Sequence, residues 1–240
     1  MKKTPEYLRR FNEELANQLR GSLVKVNTVK KIEANAKEYL NKSAKAGYIE
    51  RVKWGWYWVP DKVEDVWDFL QKDRNFKVLA AQSAASFWNN DFIHRDVIAL
   101  KVDDRSYAKA LQAFGSKRGW NFILEYVDRS AVRYRKFGNL FVEEIEDSII
   151  DCIQNWAFVD AFAILYSNRK RIRFEQLLER AYWKRVSKTN VRVRQVLEYG
   201  CNLVNKSLEK DVFSVRKPRL EDFYVKRGID EAVERVVELG

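Results

Sequence analysis

The segment between residues 28 and 60 constrains the fold more than any other part of this chain. Two short helical stretches come first, and an Ala-Gly-Tyr-Ile run at residues 46–49 then leads into strand-like segments at residues 48–53 and 56–60. Gly55 lies in the turn between them, where it can take a positive φ, and the aromatic run that follows has high strand preference. Two helices followed by a short hairpin are the pattern of a winged helix-turn-helix, which places one helix in a DNA major groove and the hairpin beside it.

The second helical stretch has two different faces. Val29, Ile32, Ala36, Tyr39 and Leu40 follow three- and four-residue spacings and form one apolar stripe. The opposite stripe carries side chains that can contact base edges or hold phosphates. Its members are Asn35, Glu38, Lys42 and Lys45, flanked by Lys37 and Asn41. We therefore predict that this stretch is the recognition helix and that Gly47 ends it.

The motif predicts double-stranded DNA as a partner. The residues predicted to contact it are Thr28, Lys30, Lys31, Asn35, Lys37, Asn41, Lys42, Lys45, Arg51, Lys53 and Trp54. Of these, Asn35, Asn41 and Lys42 are expected to reach bases. The predicted phosphate contacts are Lys30, Lys37, Lys45, Arg51 and Lys53.

The distribution of charge supports this prediction. Residues 1–60 carry 13 Lys and Arg against 6 Asp and Glu, and so contribute +7 of the net charge of +11. A concentrated basic face is the usual electrostatic footprint of a nucleic-acid-binding domain. Two alternatives remain: an ordinary helical subdomain with solvating lysines, and a winged-helix adaptor that binds protein or RNA without reading a DNA sequence.

With 240 residues, 46% of them hydrophobic, the chain has room for two globular domains. We predict a winged helix-turn-helix over residues 1–60, linking helices over residues 61–90 and an α+β domain over residues 91–240. In the first, a helix at residues 4–20 capped by Thr4 should precede a strand at residues 23–26. The next helix should be capped by Asn27 or Thr28, and Asp61 should cap the first linking helix.

The remaining elements are predicted from periodicity. Strands are expected at residues 97–102 and 120–127, with a broken strand at 132–142. Helices are expected at residues 76–88, 106–117, 143–154, 158–166, 173–185, 190–207 and 229–239. The predicted fold class is therefore α+β, with the winged helix-turn-helix followed by a mixed domain that ends in helices.

A second basic region follows at residues 169–194, with a net charge of +8. Its candidate binding residues are Arg169, Lys170, Arg171, Arg173, Lys184 and Arg185. The region could be another DNA contact or a site for RNA or an acidic protein. The alternative is a pair of solvated helix faces, since charge runs are usually surface.

The tryptophans divide by position. Trp54 lies at the hairpin turn and is the one predicted to meet a partner, whereas Trp56 and Trp58 are predicted to be core residues that anchor the hairpin on the first helix. Core positions are also predicted for Trp67, Trp88, Trp120, Trp156 and Trp183.

No catalytic constellation is visible, so we predict neither an enzyme nor a cofactor. There is no Gly-rich phosphate loop and no Gly-x-Ser-x-Gly elbow. His94 is the single histidine, predicted in a loop or at a helix end, and Cys152 and Cys201 are predicted to be buried and unpaired. The acids at residues 143–147 could hold a metal, but they open a helix, where acids are favoured anyway. For a nuclease, Lys101 and Glu125 are the only pair that can be nominated.

No segment approaches the ~20 apolar residues of a membrane span, and the first residues lack the apolar core of a signal peptide. We therefore expect a cytoplasmic protein without membrane contact.

The chain resembles the antitoxins of the abortive-infection AbiE type. The matching segments are Ala46-Gly47-Tyr48-Ile49-Glu50-Arg51-Val52, Gly55-Trp56-Tyr57-Trp58-Val59-Pro60, Ser83-Ala84-Ala85 and Glu146-Asp147-Ser148-Ile149-Ile150-Asp151. The resemblance implies a transcriptional autoregulator that binds inverted repeats, and a C-terminal domain that counters a nucleotidyltransferase-like toxin. Half-site readers commonly pair on palindromic DNA, so a homodimer is also expected.

Overall fold

A computed structural model describes residues 5–89, 97–215 and 220–239. The described chain is 52% helix and 16% strand, with one sheet of three strands and one of five, which confirms the predicted α+β class. Thr4, the predicted first cap, and His94 lie outside the described residues.

More than half of the described residues lie in helices, and a 3-10 turn is formed by Arg129–Ala131. The helices are α1 Glu6–Leu19, α2 Val26–Val29, α3 Ala36–Lys45, α4 Val66–Lys72, α5 Ala81–Trp88, α6 Arg105–Ser116, α7 Ile145–Gln154, α8 Phe158–Ser167, α9 Phe174–Arg180, α10 Val193–Ser207 and α11 Phe223–Leu239.

Two sheets hold the strands. The strands are β1 Leu23–Lys25, β2 Glu50–Lys53, β3 Trp56–Trp58, β4 Lys77–Leu79, β5 Val97–Val102, β6 Asn121–Tyr126, β7 Tyr134–Phe137 and β8 Leu140–Glu143. The first sheet has the order β1-β3-β2 and the second the order β6-β5-β4-β8-β7.

The chain divides into two compact units, each discontinuous in sequence. Unit 1 comprises residues 1–77, 101–129 and 136–141, and unit 2 comprises residues 78–100, 130–135 and 142–240. Unit 1 therefore holds α1 to α4, the three-stranded sheet, α6 and β6, whereas unit 2 holds α5 and α7 to α11. The division predicted at residues 60 and 90 rests on sequence composition and stays a prediction.

In unit 1 the central strand β3 is covered on both faces. It pairs antiparallel with β1 and β2, so that Tyr57 lies opposite both Val24 and Arg51. Because side chains alternate along a strand, Tyr57 and Val59 face one way and join a core built from α1 and α3.

The tryptophans of β3 face the opposite way. Trp58 packs against Phe69 of α4 and Phe114 of α6, with ring centroids 5.6 and 4.8 Å apart. Trp56 lies 5.8 Å from the ring of Tyr107 in α6. The predicted core role of both tryptophans is confirmed, but their partners are α4 and α6, not the first helix.

A buried polar network joins β1, the end of α4 and α6. One oxygen of the Asp73 carboxylate accepts from the backbone N–H of Leu23 at 2.9 Å and from the amide of Asn75 at 2.8 Å. The other accepts from the Tyr107 hydroxyl at 2.6 Å and lies 3.2 Å from the Lys77 ammonium. Burial, together with the negative Asp73, raises the pKa of Tyr107 well above its ordinary value.

The core of unit 2 is helical. Phe162 of α8 is fully buried and lies against Gly200 of α10, where the lack of a side chain leaves space for the ring. Cys152 and Cys201 are unpaired and buried in the same core, as predicted. Burial raises the pKa of both thiols well above the ordinary value, which disfavours the reactive thiolate.

Several predicted boundaries were wrong. Residues 77–79 form the central strand β4, and the helix predicted from residue 76 begins only at Ala81. The cap of α4 is Asp65, whose carboxylate accepts from the N–H of Asp68 at 2.8 Å, and not Asp61. The helix α2 begins directly after Lys25, so neither Asn27 nor Thr28 caps it.

Helices of unit 2 also differ from prediction. The helix predicted over residues 173–185 ends at Arg180, since the chain turns and Tyr182 donates its N–H back to the carbonyl of Glu179. The last helix begins at Phe223, six residues earlier than predicted. Trp183 and Trp156, predicted as core, are 80% and 41% exposed, whereas Trp67, Trp88 and Trp120 are half-buried.

Candidate nucleic-acid interface

A basic cleft lies on the surface of unit 1. It is lined by Lys25, Val26, Asn27, Lys30, Lys37, Asn41, Lys45, Arg51, Lys53, Trp54, Gly55, Trp56, Tyr57, Ser106 and Lys109. Seven of these residues are Lys or Arg, and none of the lining residues, all from the described part of unit 1, is acidic. Seven of the eleven predicted DNA contacts line this cleft: Lys30, which follows α2 as its C-cap residue, and six residues of α3 and the hairpin.

One face of the helix α3 lines the cleft. Lys37, Asn41 and Lys45 are spaced four residues apart, so they lie above one another on a single helix face. Ala36 and Leu40 are buried on the opposite side. With ten residues, α3 is ~15 Å long, a size that a DNA major groove ~12 Å wide accommodates.

The turn of the hairpin forms one wall. Trp54 is 76% exposed, and the Arg51 guanidinium lies 4.7 Å from its ring centroid. The Lys37 ammonium of α3 lies 6.0 Å from the same ring. Gly55 completes the turn with φ of +76°, and Gly47 follows α3 with φ of +80°, both as predicted.

Asn41 is tied to the floor of the cleft. Its side-chain oxygen accepts a hydrogen bond of 2.8 Å from the Tyr57 hydroxyl of β3. Burial raises the pKa of Tyr57, so its hydroxyl is held in the protonated, donating form. The Asn41 amide nitrogen is the donor that remains for a partner.

Four predicted contacts do not line the cleft. Thr28, Lys31 and Asn35 are exposed elsewhere on unit 1, and Asn35 precedes α3 as its N-cap residue. The Lys42 ammonium lies 2.6 Å from the Glu38 carboxylate and 5.3 Å from the ring centroid of Tyr7 in α1. The hydrogen bonds that the Lys42 ammonium donates to Glu38 and to the Tyr7 hydroxyl raise the pKa of Lys42.

The sequence-based prediction missed the contribution of α6. Lys109 and Ser106 of this helix line the cleft, together with Lys25 and Asn27 beside them. The Lys25 ammonium lies 2.9 Å from the Ser106 hydroxyl and 3.5 Å from Asp104. No local pattern reveals these residues, because α6 follows the hairpin by about fifty positions and meets it only through tertiary packing.

Ion pairs hold the edge strand β2 to the end of α6. The Glu50 carboxylate lies 3.0 Å from both Lys117 and Arg118. Burial acts to raise the pKa of Glu50, but the hydrogen bonds from these two cations outweigh it and lower the pKa. The base of the hairpin is thus fixed beside the cleft.

The second basic region is split between two turns of unit 2. Arg169, Lys170, Arg171 and Arg173 lie between α8 and α9, and Arg169 is held by the Tyr166 carbonyl at 2.7 Å. Lys184 and Arg185 are exposed in the turn between α9 and α10.

The acids at residues 143–147 diverge. Three of them pair with different arginines: Glu144 lies 3.0 Å from Arg135, and Asp147 lies 2.6 Å from Arg133. Glu146 lies 3.5 Å from Arg180. In unit 1 the Lys101 ammonium lies 3.9 Å from the Glu125 carboxylate. Among the described residues, no group of three His, Cys, Asp or Glu side chains is arranged to hold a metal ion.

No protein-family model matches the chain, and no curated protein matches it. Within residues 5–89, 97–215 and 220–239, no helix is long and apolar enough to cross a membrane.

Proposed function

We propose that this protein is a sequence-specific, DNA-binding transcriptional regulator that binds duplex DNA through the basic cleft of unit 1. The observation that carries the proposal is the convergence of seven cations, two amide side chains and an exposed tryptophan from α2, α3, the hairpin and α6 on one surface free of acidic lining residues. A polyanion with readable edges suits such a surface, because cations hold phosphates and amides discriminate bases.

The roles divide by position. Asn41, at the middle of α3, is the residue proposed to read a base edge, since its free amide N–H groups can donate to a purine acceptor. Lys45 and Lys53, from α3 and the hairpin, are proposed to contact phosphates on either side. Trp54 at the turn is proposed to pack against the sugar-phosphate backbone.

The test is a titration of the full-length protein against DNA from upstream of its own gene and against shuffled DNA of equal length. Fluorescence anisotropy at several salt concentrations gives both affinity and its salt dependence. We expect the native fragment to bind ~10³-fold or more tightly than the shuffled one. Equal and steeply salt-dependent binding to both would contradict sequence-specific regulation and favour the adaptor hypothesis.

The resemblance to AbiE-type antitoxins extends the proposal. It suggests autorepression of a two-gene operon and neutralisation of a nucleotidyltransferase-like toxin in the cytoplasm, with a homodimer on inverted repeats. Co-expression with the product of the adjacent gene tests the proposed toxin neutralisation, because an antitoxin should restore the growth that a toxin inhibits. Light scattering of the DNA complex tests the homodimer.

A further inference from the structure

An exposed aromatic pair lies in unit 2, far along the chain from the cleft. Trp183 is 80% exposed, and the rings of Tyr182 and Trp183 are in edge-to-face contact with centroids 4.7 Å apart. An indole so open to solvent adds nothing to the core, and burial of its face against a partner would be favourable.

Guanidinium groups flank the pair. That of Arg192 lies 5.4 Å from the Tyr182 ring and 5.8 Å from the Trp183 ring. That of Arg194 lies 5.6 Å from the Tyr182 ring and is paired with Glu198 at 2.9 Å. The cations of residues 182–194 are Lys184, Arg185, Lys188, Arg192 and Arg194, and no Asp or Glu occurs in these residues.

The turn that carries these groups is fixed by backbone hydrogen bonds. The N–H of Val186 donates to the Val191 carbonyl at 2.9 Å, and the N–H of Val193 donates to the Lys184 carbonyl at 3.0 Å. The side chains of all three valines are buried. The aromatic pair and its cations are therefore presented by an anchored hairpin-like turn.

From this arrangement we infer that the turn at residues 182–194 is a binding site for single-stranded nucleic acid. An unpaired base stacks on the exposed face of Trp183, and Arg192, Lys184 and Arg185 neutralise the adjacent phosphates. Duplex DNA offers phosphates but no free base face, whereas single strands offer both. The turn belongs to unit 2 and the cleft to unit 1, so the inference does not depend on the proposed function.

The experiment measures binding of the full-length protein to a labelled oligonucleotide of about 12 unpaired thymidines, by fluorescence anisotropy. Trp183→Ala should weaken binding by about five- to a hundredfold, and Trp183→Phe should retain most of it. An abasic oligonucleotide of equal length should bind the unaltered protein as weakly as the thymidine strand binds the Trp183→Ala variant. Because Trp183 is exposed, thermal unfolding of each variant should match that of the parent.

Tyr224→Ala is the matched control, because it removes another exposed aromatic side chain of unit 2 that belongs neither to the turn at residues 182–194 nor to the cleft. Loss of binding in this variant and not in Trp183→Ala would overturn the inference, as would equal affinity for the abasic strand. An equal loss of blunt duplex DNA binding in Trp183→Ala would also overturn it, since stacking on an unpaired base cannot explain that result.

Discussion

The Tyr57 hydroxyl of β3 donates a hydrogen bond of 2.8 Å to the side-chain oxygen of Asn41 in α3. This bond links the central strand of the three-stranded sheet to the helix proposed to enter the major groove. It also orients the Asn41 amide, so that its nitrogen, and not its oxygen, is the group left to meet a base.

Loss of that orientation should relax sequence discrimination. Tyr57→Phe should cost about 0.5 to 1.5 kcal/mol of unfolding free energy and reduce discrimination at the base pair that Asn41 contacts. Asn41→Ala should reduce it further, by about 1 to 3 kcal/mol. Competition binding with single-base variants of the native DNA measures the discrimination. Unchanged discrimination in both variant proteins would contradict the proposed reading of a base by Asn41.

Two lysines of α3 should differ in their effect on DNA binding. Lys45→Ala removes a cation of the cleft and should lower the slope of log affinity against log salt by about 0.9, for every DNA sequence. Lys42→Ala is the matched control, since its ammonium pairs with Glu38 beside α1 and should leave the slope unchanged. Equal slopes for the two variants would mean that the cleft is not the DNA-binding face.

The buried network at Asp73 should dominate the stability of unit 1. Asp73→Ala leaves the Lys77 ammonium and the Tyr107 hydroxyl buried without this partner, and should cost about 3 to 5 kcal/mol. Tyr107→Phe removes one hydrogen bond and should cost about 1 kcal/mol. Urea unfolding distinguishes the two, and a comparable loss in both would show that the ion pair adds little.

Alkaline pH should weaken the contact between α10 and α11. Burial and the hydrogen bond of 2.7 Å to Asp230 raise the pKa of Tyr199 to about 12. Because the folded pKa exceeds the unfolded value of about 10, the stabilisation is complete below pH ~10 and is lost as the pH rises towards about 12. The difference in unfolding free energy between the parent protein and Tyr199→Phe should therefore shrink over that interval; a constant difference would contradict the shift.

Gly200 should resist substitution although it lies inside α10. An added Cβ would overlap the ring of Phe162, so Gly200→Ala should destabilise by about 1 to 3 kcal/mol despite the helix preference of alanine. In a Phe162→Leu background the same change should cost less, because the ring that causes the overlap is gone. Urea unfolding of the four proteins gives the coupling, and additive losses would rule out the steric explanation.

Local patterns predicted much of the N-terminal part of unit 1. The positive φ angles at Gly47 and Gly55 follow from turn chemistry, and the apolar spacing that includes Ala36 and Leu40 identified α3. The predicted polar stripe, however, was about one residue off. It was predicted as Asn35, Glu38, Lys42 and Lys45, whereas the face of α3 that lines the cleft carries Lys37, Asn41 and Lys45. The side-chain contacts of Lys42 with Tyr7 depend on the packing of α1, which the spacing alone does not contain.

Long-range features were not predictable in this way. The strand β4 is only three residues long and directly precedes a run of small residues with helical character. The sequence pattern therefore predicted one continuous helix over residues 76–88 and not a strand followed by a helix. Trp183 was assigned to the core because the apolar spacing continues past Arg180, where α9 ends. In both cases pairing or chain reversal, set by distant residues, overrides the local preference.

The coverage of β3 on both faces determines how this protein can be divided for study. A fragment that stops at residue 60 or 90 lacks α6, and would expose to water the side of the sheet formed by Trp56 and Trp58. Such a truncated product would be expected to aggregate, and its failure to bind DNA would say nothing about the cleft. Boundaries for expression should instead retain residues 101–129 together with the N-terminal segment, so mapping by successive C-terminal deletions would assign the activity to the wrong part of the chain.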